Sequence, residues 1–146
     1  MGDLLALIRE VAELLDSSFK ERGVVFHLQA QGRIPPLAFD SGQIRQVLIN
    51  LFKNSLEAMP EGGNLTVNAE VQDDHLILKI TDTGHGIAPE QLQSLFTPFL
   101  TTKAGGTGLG LTISRGLINQ HQGEITIDSA VDRGTTCTIR LPLSSA

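Results

Sequence analysis

The sequence is poor in several things that would settle its class at once. It holds a single cysteine, Cys137, so no intramolecular disulfide can form and a small disulfide scaffold is excluded. Tryptophan and tyrosine are both absent. No block of lysine or arginine occurs; 11 basic residues are scattered among 16 acidic ones for a net charge of −5, which argues against a reader of phosphate backbones, so no nucleic acid is expected as a partner. No apolar run approaches the ~18 residues of a membrane span, and Met1 leads directly into an amphipathic stretch with no signal peptide. The domain is therefore expected to make no membrane contact and to work in a reducing, cytoplasmic compartment.

What is present reads as one globular unit. The 146 residues, 40% of them hydrophobic, suit a single domain over 1–146, because a chain of that size buries about two thirds of its unfolded surface. Leu4, Ile8, Val11, Leu15 and Phe19 recur at helical spacing and Gly23 supplies a stop, which predicts one opening amphipathic helix. Val24, Phe26 and Leu28 alternate with polar neighbours as a strand does, and a second short extended piece is expected through Leu37 and Phe39, after Pro35-Pro36. Asp40, with Gln43 three residues on, resembles a capping box. It opens a second helix whose apolar stripe is Ile44, Val47, Leu48, Leu51 and Ala58 and which ends near Pro60. Leu65–Val71 and Leu76–Ile80 alternate on either side of Asp73-Asp74, the pattern of a β-hairpin.

From Asp82 to Gly110 runs a glycine-bearing stretch, with a short helical piece after Pro89, too long for an idle connection. Leu109, Ile113 and Leu117 predict a last helix stopped by Gly123, and Ile125 and Ile127 pair naturally with Thr135–Leu141 across a loop holding Gly134. Cys137 falls on the same strand face as Thr135, Ile139 and Leu141 and reads as a core residue. Helices and strands are segregated rather than alternating. The expected class is α+β: a two-layer sandwich in which a mixed, largely antiparallel sheet of about five strands is covered on one face by about three helices.

Three places carry chemistry. On the second helix Gln46, Asn50, Asn54 and Glu57 share one polar stripe. It can be read as a solvated helix surface, yet asparagine is a mediocre helix former, and two of them one turn apart in mid-helix point to something other than propensity. Amide oxygens suit the hard Mg²⁺ ion. Asp82 continues the parity of Leu76, Leu78 and Ile80, which aims its carboxylate toward the helices, where a charge is costly unless hydrogen-bonded. It either caps the turn at the strand end or accepts from an exocyclic amine at the bottom of a pocket, with Gly84 and Gly86 letting a flat ring approach the backbone. Gly105-Gly106-Thr107-Gly108-Leu109-Gly110 opens the last helix, and N–H groups at a helix start suit phosphate. The segment is neither a P-loop nor a dinucleotide fingerprint.

Taken in order, Asn50-Leu-Phe-Lys-Asn54-Ser, Asp82-Thr-Gly84-His-Gly86-Ile87, Phe96-Thr-Pro-Phe99, Gly106-Thr-Gly108-Leu-Gly110-Leu and Gly134-Thr135-Thr136 resemble the ATP-binding catalytic domain of sensor histidine kinases, in the superfamily shared with gyrase, Hsp90 and MutL. Phe96 to Lys103 and the Asn-Ser-Leu-Glu-Ala from Asn54 look particularly like nitrogen-regulatory and sporulation-type kinases. The resemblance covers essentially the whole chain. It implies that Asn54 holds Mg²⁺, that Asn50 sits near metal and phosphates, and that Asp82 accepts from the adenine amino group. Gly84, Gly86 and Ile87 would flank the base. Gly106, Thr107, Gly108, Leu109 and Gly110 would meet the phosphates, and Thr135 would close the pocket on the base side. Residues from about Phe96 to Gly106 would form a mobile ATP lid in which Thr102 and Lys103 approach the nucleotide and Lys103 could reach its terminal phosphate.

In the gyrase and Hsp90 branches the position of Asn50 is a glutamate that activates water. An amide cannot take that proton, so transfer to a histidine is expected in place of hydrolysis. Glu57 departs from the basic residue common at its position and is left out of the site. His27, His75, His85 and His121 lack the sequence context of a phosphoacceptor. The chain is therefore expected to be a monomeric catalytic fragment that cannot autophosphorylate alone. Its expected partners are a histidine-bearing dimerisation domain of the parent kinase and, downstream, a response regulator. The rival readings are a gyrase- or Hsp90-like clamp, an anti-sigma-type serine kinase and a non-enzymatic nucleotide-sensing module.

Overall fold

A computed structural model of the chain describes residues 2–84, 110–130 and 134–143. The opening segment is two helices, α1 (Leu4–Leu14) and α2 (Asp16–Arg22), where periodicity alone predicts one. The Asp3 side chain caps α1 by accepting from the Ala6 N–H at 3.2 Å. The helix then breaks at Leu15 (φ −100°, ψ 8°), ahead of Asp16-Ser17-Ser18, residues whose short polar side chains compete with helical hydrogen bonding. The break sets α2 so that Phe19 stacks on Phe26 at 5.6 Å between ring centres. Gly23 ends α2 in the left-handed conformation at φ +70°, which a residue without Cβ adopts at little cost.

β1 (Val24–Gln31) leads through α3 (Ser41–Ala58) to β2 (Gly63–Gln72), and β1 and β2 pair in parallel, as a helical crossover requires. The extended piece at Leu37 is not a strand of the sheet. Leu37 makes one bridge with Gly2, each N–H donating to the other's carbonyl, because Pro35 and Pro36 have no N–H to continue a ladder. β2 and β3 (His75–Asp82) form the expected hairpin. Its two turn residues, Asp73 (φ 52°) and Asp74 (φ 60°), take the left-handed conformation that a two-residue turn needs and that aspartate tolerates better than most side chains.

α4 (Gly110–Gln120), β4 (Glu124–Ala130) and β5 (Gly134–Pro142) complete the described elements. The sheet order is β1-β2-β3-β5-β4, antiparallel everywhere except β1–β2. This is the α+β sandwich expected, with four helices among the described residues. The core lies between sheet and helices: Leu65, Val67, Leu76, Leu78, Ile80, Ile139 and Leu141 face Leu4, Ile8, Val47, Leu48, Phe52 and Ile118, all buried. Cys137 is buried among them as expected, and burial pushes its thiol up to about 12 from an ordinary 9.0. No described helix is long and apolar enough to cross a membrane.

The apolar stripe of α4 differs from the sequence reading. Ile113 is 40% exposed, whereas Ser114 is fully buried beside Ile118. The hydroxyl faces inward because α3 offers it a polar partner, described below.

Candidate nucleotide site

α3 carries Asn50 and Asn54 one turn apart, both half-buried, while Gln46, Lys53 and Glu57 on either side are exposed. The polar stripe therefore divides. Its two asparagines are half-buried, and Gln46 and Glu57 face solvent. The Asn50 amide nitrogen reaches the Ser114 hydroxyl of α4 at 3.5 Å. Ser114 is a partner of Asn50 that periodicity assigns to the wrong face. A buried hydroxyl must be hydrogen-bonded, and Asn50 is the group that meets it.

Asp82 closes β3 and is 5% exposed, so the parity argument placed it correctly. Its Oδ1 accepts from the Gly84 N–H at 2.9 Å, so the turn-capping role is present together with the burial that a ligand acceptor needs. The pairing register then builds a transverse row on the helix-facing side of the sheet. Leu65 lies opposite Asp82, Asp82 opposite Thr135, and Thr135 opposite Ser129. The Thr135 and Ser129 hydroxyl oxygens are 2.8 Å apart, and the Ser129 hydroxyl donates to the Gly134 carbonyl at 2.9 Å. Thr135 thus stands beside Asp82 in the sheet. Ser129 was not singled out in the sequence, since only the strand register reveals it.

Two glycines make this packing possible. A Cβ at Gly84 would overlap the carbonyl oxygen of Ala58 and lie 2.8 Å from both its carbonyl carbon and its Cβ. The chain after Asp82 is therefore pressed against the last residue of α3. Gly134 has φ +95°, and a Cβ there would overlap the Asp82 carbonyl oxygen, so β5 can approach β3 closely only with glycine in place. The absent side chain at Gly84 thus serves the packing of this segment on α3, beside the buried Asp82 carboxylate. Gly110 begins α4. Gly86, Ile87, Thr102, Lys103, Gly106, Thr107, Gly108 and Leu109, the expected lid and the helical piece after Pro89 lie outside the described residues.

The described residues thus supply a buried carboxylate at the end of β3, two half-buried asparagines on α3 and the start of α4. Comparison with known proteins gives the family. Residues 39–145 match the family described as "Histidine kinase-, DNA gyrase B-, and HSP90-like ATPase". Sporulation kinase E of Bacillus subtilis (strain 168) is 39% identical over 138 residues, which cover 94% of this chain and 19% of that protein. Sensor histidine kinase ZraS of Escherichia coli (strain K12) is 35% identical over 142 residues, 97% of this chain and 30% of that one. The nucleotide-free catalytic domain of histidine kinase ThkA superposes with a TM-score of 0.88 at 31% identity, covering 97% of this chain and 93% of that chain. The chain spans less than a third of the length of the two curated relatives named. It belongs to the histidine kinase-, DNA gyrase B- and HSP90-like ATPase family, and within it to the ATP-binding catalytic domains of sensor histidine kinases.

Proposed function

We propose that this domain binds Mg-ATP and transfers the γ-phosphoryl group to a histidine on a helical dimerisation domain of the parent kinase, from which a response regulator takes it in turn. The observation that carries the reading is Asn50. It sits half-buried on α3 against Ser114, at the position where hydrolytic relatives use a carboxylate to draw a proton from water. An amide has no basic lone pair for that task. An imidazole needs no such help: its nitrogen lone pair attacks the γ-phosphorus, the bond to the β-bridging oxygen breaks, ADP departs with the electron pair, and the imidazole N–H proton passes to solvent.

Asp82 would accept from the adenine amino group while Gly84 lies against the ring, which fixes the far end of the nucleotide. Asn54, with Asn50 beside it, would present hard amide oxygens to Mg²⁺; the ion would supply charge neutralisation to the phosphates. Lys103 and the N–H groups at the start of α4 would add to it, so that catalysis rests on positioning and electrostatics.

Calorimetric titration with ATP in the presence and absence of Mg²⁺ tests this, on the wild type, Asn54→Ala and Asp82→Asn. The expected result is Mg²⁺-dependent binding, weakened in each variant by on the order of 1–3 kcal/mol, the cost of losing a charged or buried hydrogen bond. A folded wild type that takes up no nucleotide would remove the basis for the reading.

A further inference from the structure

Asp40 is the N-cap of α3, and its side chain accepts from the Gln43 N–H at 2.9 Å. In a complete capping box the Gln43 side chain would reach back to the Asp40 N–H. Here that N–H instead donates, at 3.0 Å, to Nε2 of His121, 81 residues further along the chain. The other ring nitrogen, Nδ1, lies 2.8 Å from the Leu117 carbonyl oxygen. A backbone N–H can only donate and a carbonyl can only accept. The two partners therefore fix a neutral imidazole with the proton on Nδ1 and the lone pair on Nε2. His121 follows directly on α4, so the start of one helix is fastened to the end of the other.

The same two helices meet a second time where Asn50 reaches Ser114. From Asp40 to Asn50 is ten residues forward along α3, and from His121 to Ser114 is seven residues back along α4, so the helices run antiparallel with one polar contact where α3 starts and α4 ends and another near the middle of both. A single contact would leave a pivot. Two contacts fix the axial register, and a slip of one residue would be a displacement of about 1.5 Å.

We infer that His121 is a positioning residue for the nucleotide site, acting as the distal pin that holds α4 in register with α3 and so keeps Asn50 opposite Ser114. This rests on the ATP-binding reading for its functional consequence, but not for its structural one. His121 touches no part of the site itself; it borders a cleft of about 290 Å³ on the far side, lined by Ala38, Phe39, Asp40, Gln120, Gln122 and Pro142.

The test uses two conservative replacements that each keep one half of the imidazole. A glutamine side chain places its amide where Nε2 lies and can still accept from the Asp40 N–H. An asparagine amide matches Nδ1 and can keep only the bond to Leu117, within its own helix. His121→Gln, His121→Asn and His121→Ala are compared by the NMR resonance of the Asn50 side-chain amide and by Mg-ATP affinity. His121→Ala and His121→Asn are expected to shift the Asn50 resonance and weaken binding by up to about tenfold, the most that losing one hydrogen bond of this kind would cost. His121→Gln restores both. The ring nitrogens of wild-type His121 should also show the Nδ1–H tautomer, the less common one for free neutral histidine.

Equal behaviour of the Asn and Gln variants, or an Asn50 resonance unmoved by His121→Ala, would overturn the proposal. If His121→Ala fails to fold, the Gln and Asn pair still decides. A wild type that binds no nucleotide counts against the ATP reading alone, because the Asn50 resonance continues to report the pin.

Discussion

Gly84→Ala adds one methyl group where the segment after Asp82 meets the end of α3. The added carbon would stand 2.8 Å from the carbonyl carbon and Cβ of Ala58 and closer still to the carbonyl oxygen, where carbon contacts settle near 3.5–4.0 Å. Either the last turn of α3 or the segment after Asp82 must move by roughly an ångström, and neither can do so by rotating a side chain, since the obstruction is backbone. Overpacking of this kind costs about 1–3 kcal/mol. For a domain of this size each kcal/mol is about 2–4 °C, so melting should fall by roughly 2–12 °C. The displacement also carries Gly84 away from Asp82, whose 2.9 Å hydrogen bond holds the carboxylate in place, and ATP affinity should drop with it.

Gly116→Ala is the internal control. It lies within α4, and nothing stands within 4 Å of a Cβ built there, so the same methyl group should raise stability by about 0.5–1 kcal/mol through helix propensity. Far-UV circular dichroism suits both melts, because the chain has no Trp or Tyr. A Gly84→Ala chain that melts and binds like wild type, or a Gly116→Ala chain as destabilised as its counterpart, would refute the reasoning.

Three further outcomes can be checked on the same preparation. Asp40→Ala removes the side-chain cap that accepts from Gln43 and should lower unfolding free energy in urea by about 0.5–2 kcal/mol. Ile118→Ala empties a fully buried position under α4 and should cost about 2–5 kcal/mol in the same assay. The buried Cys137 thiol titrates near 12 when folded but near 9.0 when exposed. The unfolded chain therefore loses its proton first, and stability should fall as pH rises from about 9 toward 12. Thiol labelling at pH 8 should then proceed only through unfolding, and fast labelling of the native chain would contradict the burial.

Local chemistry made parts of this architecture readable in advance. The Asp73-Asp74 turn, the Asp40 cap and the inward parity of Asp82 each depend on residues within a few positions of one another, and each is where the sequence places it. What escaped depends on neighbours far along the chain. The break of the opening helix at Leu15, ahead of Asp16-Ser17-Ser18, is the exception, a local signal that apolar periodicity alone passes over. Ser114 lies inside and Ile113 outside because Asn50, 64 residues away, makes the interior polar at that point. Half of the capping box went unformed because His121 claims the Asp40 N–H. Ser129 comes beside Thr135 only through a strand register that no local pattern encodes.

The transverse row from Leu65 through Asp82 and Thr135 to Ser129 is drawn from four strands, and its members span half the length of the chain. No partly folded fragment holds those side chains together, so a ligand that recognises them recognises the assembled sheet and has nothing to bind in the open chain. Occupancy and folding are then one linked equilibrium. At a hundredfold excess over its dissociation constant such a ligand adds about 2.7 kcal/mol to the unfolding free energy. The resistance of this domain to heat or proteolysis would accordingly follow the ATP concentration around it, which makes the nucleotide a determinant of how long the domain survives as well as of what it does.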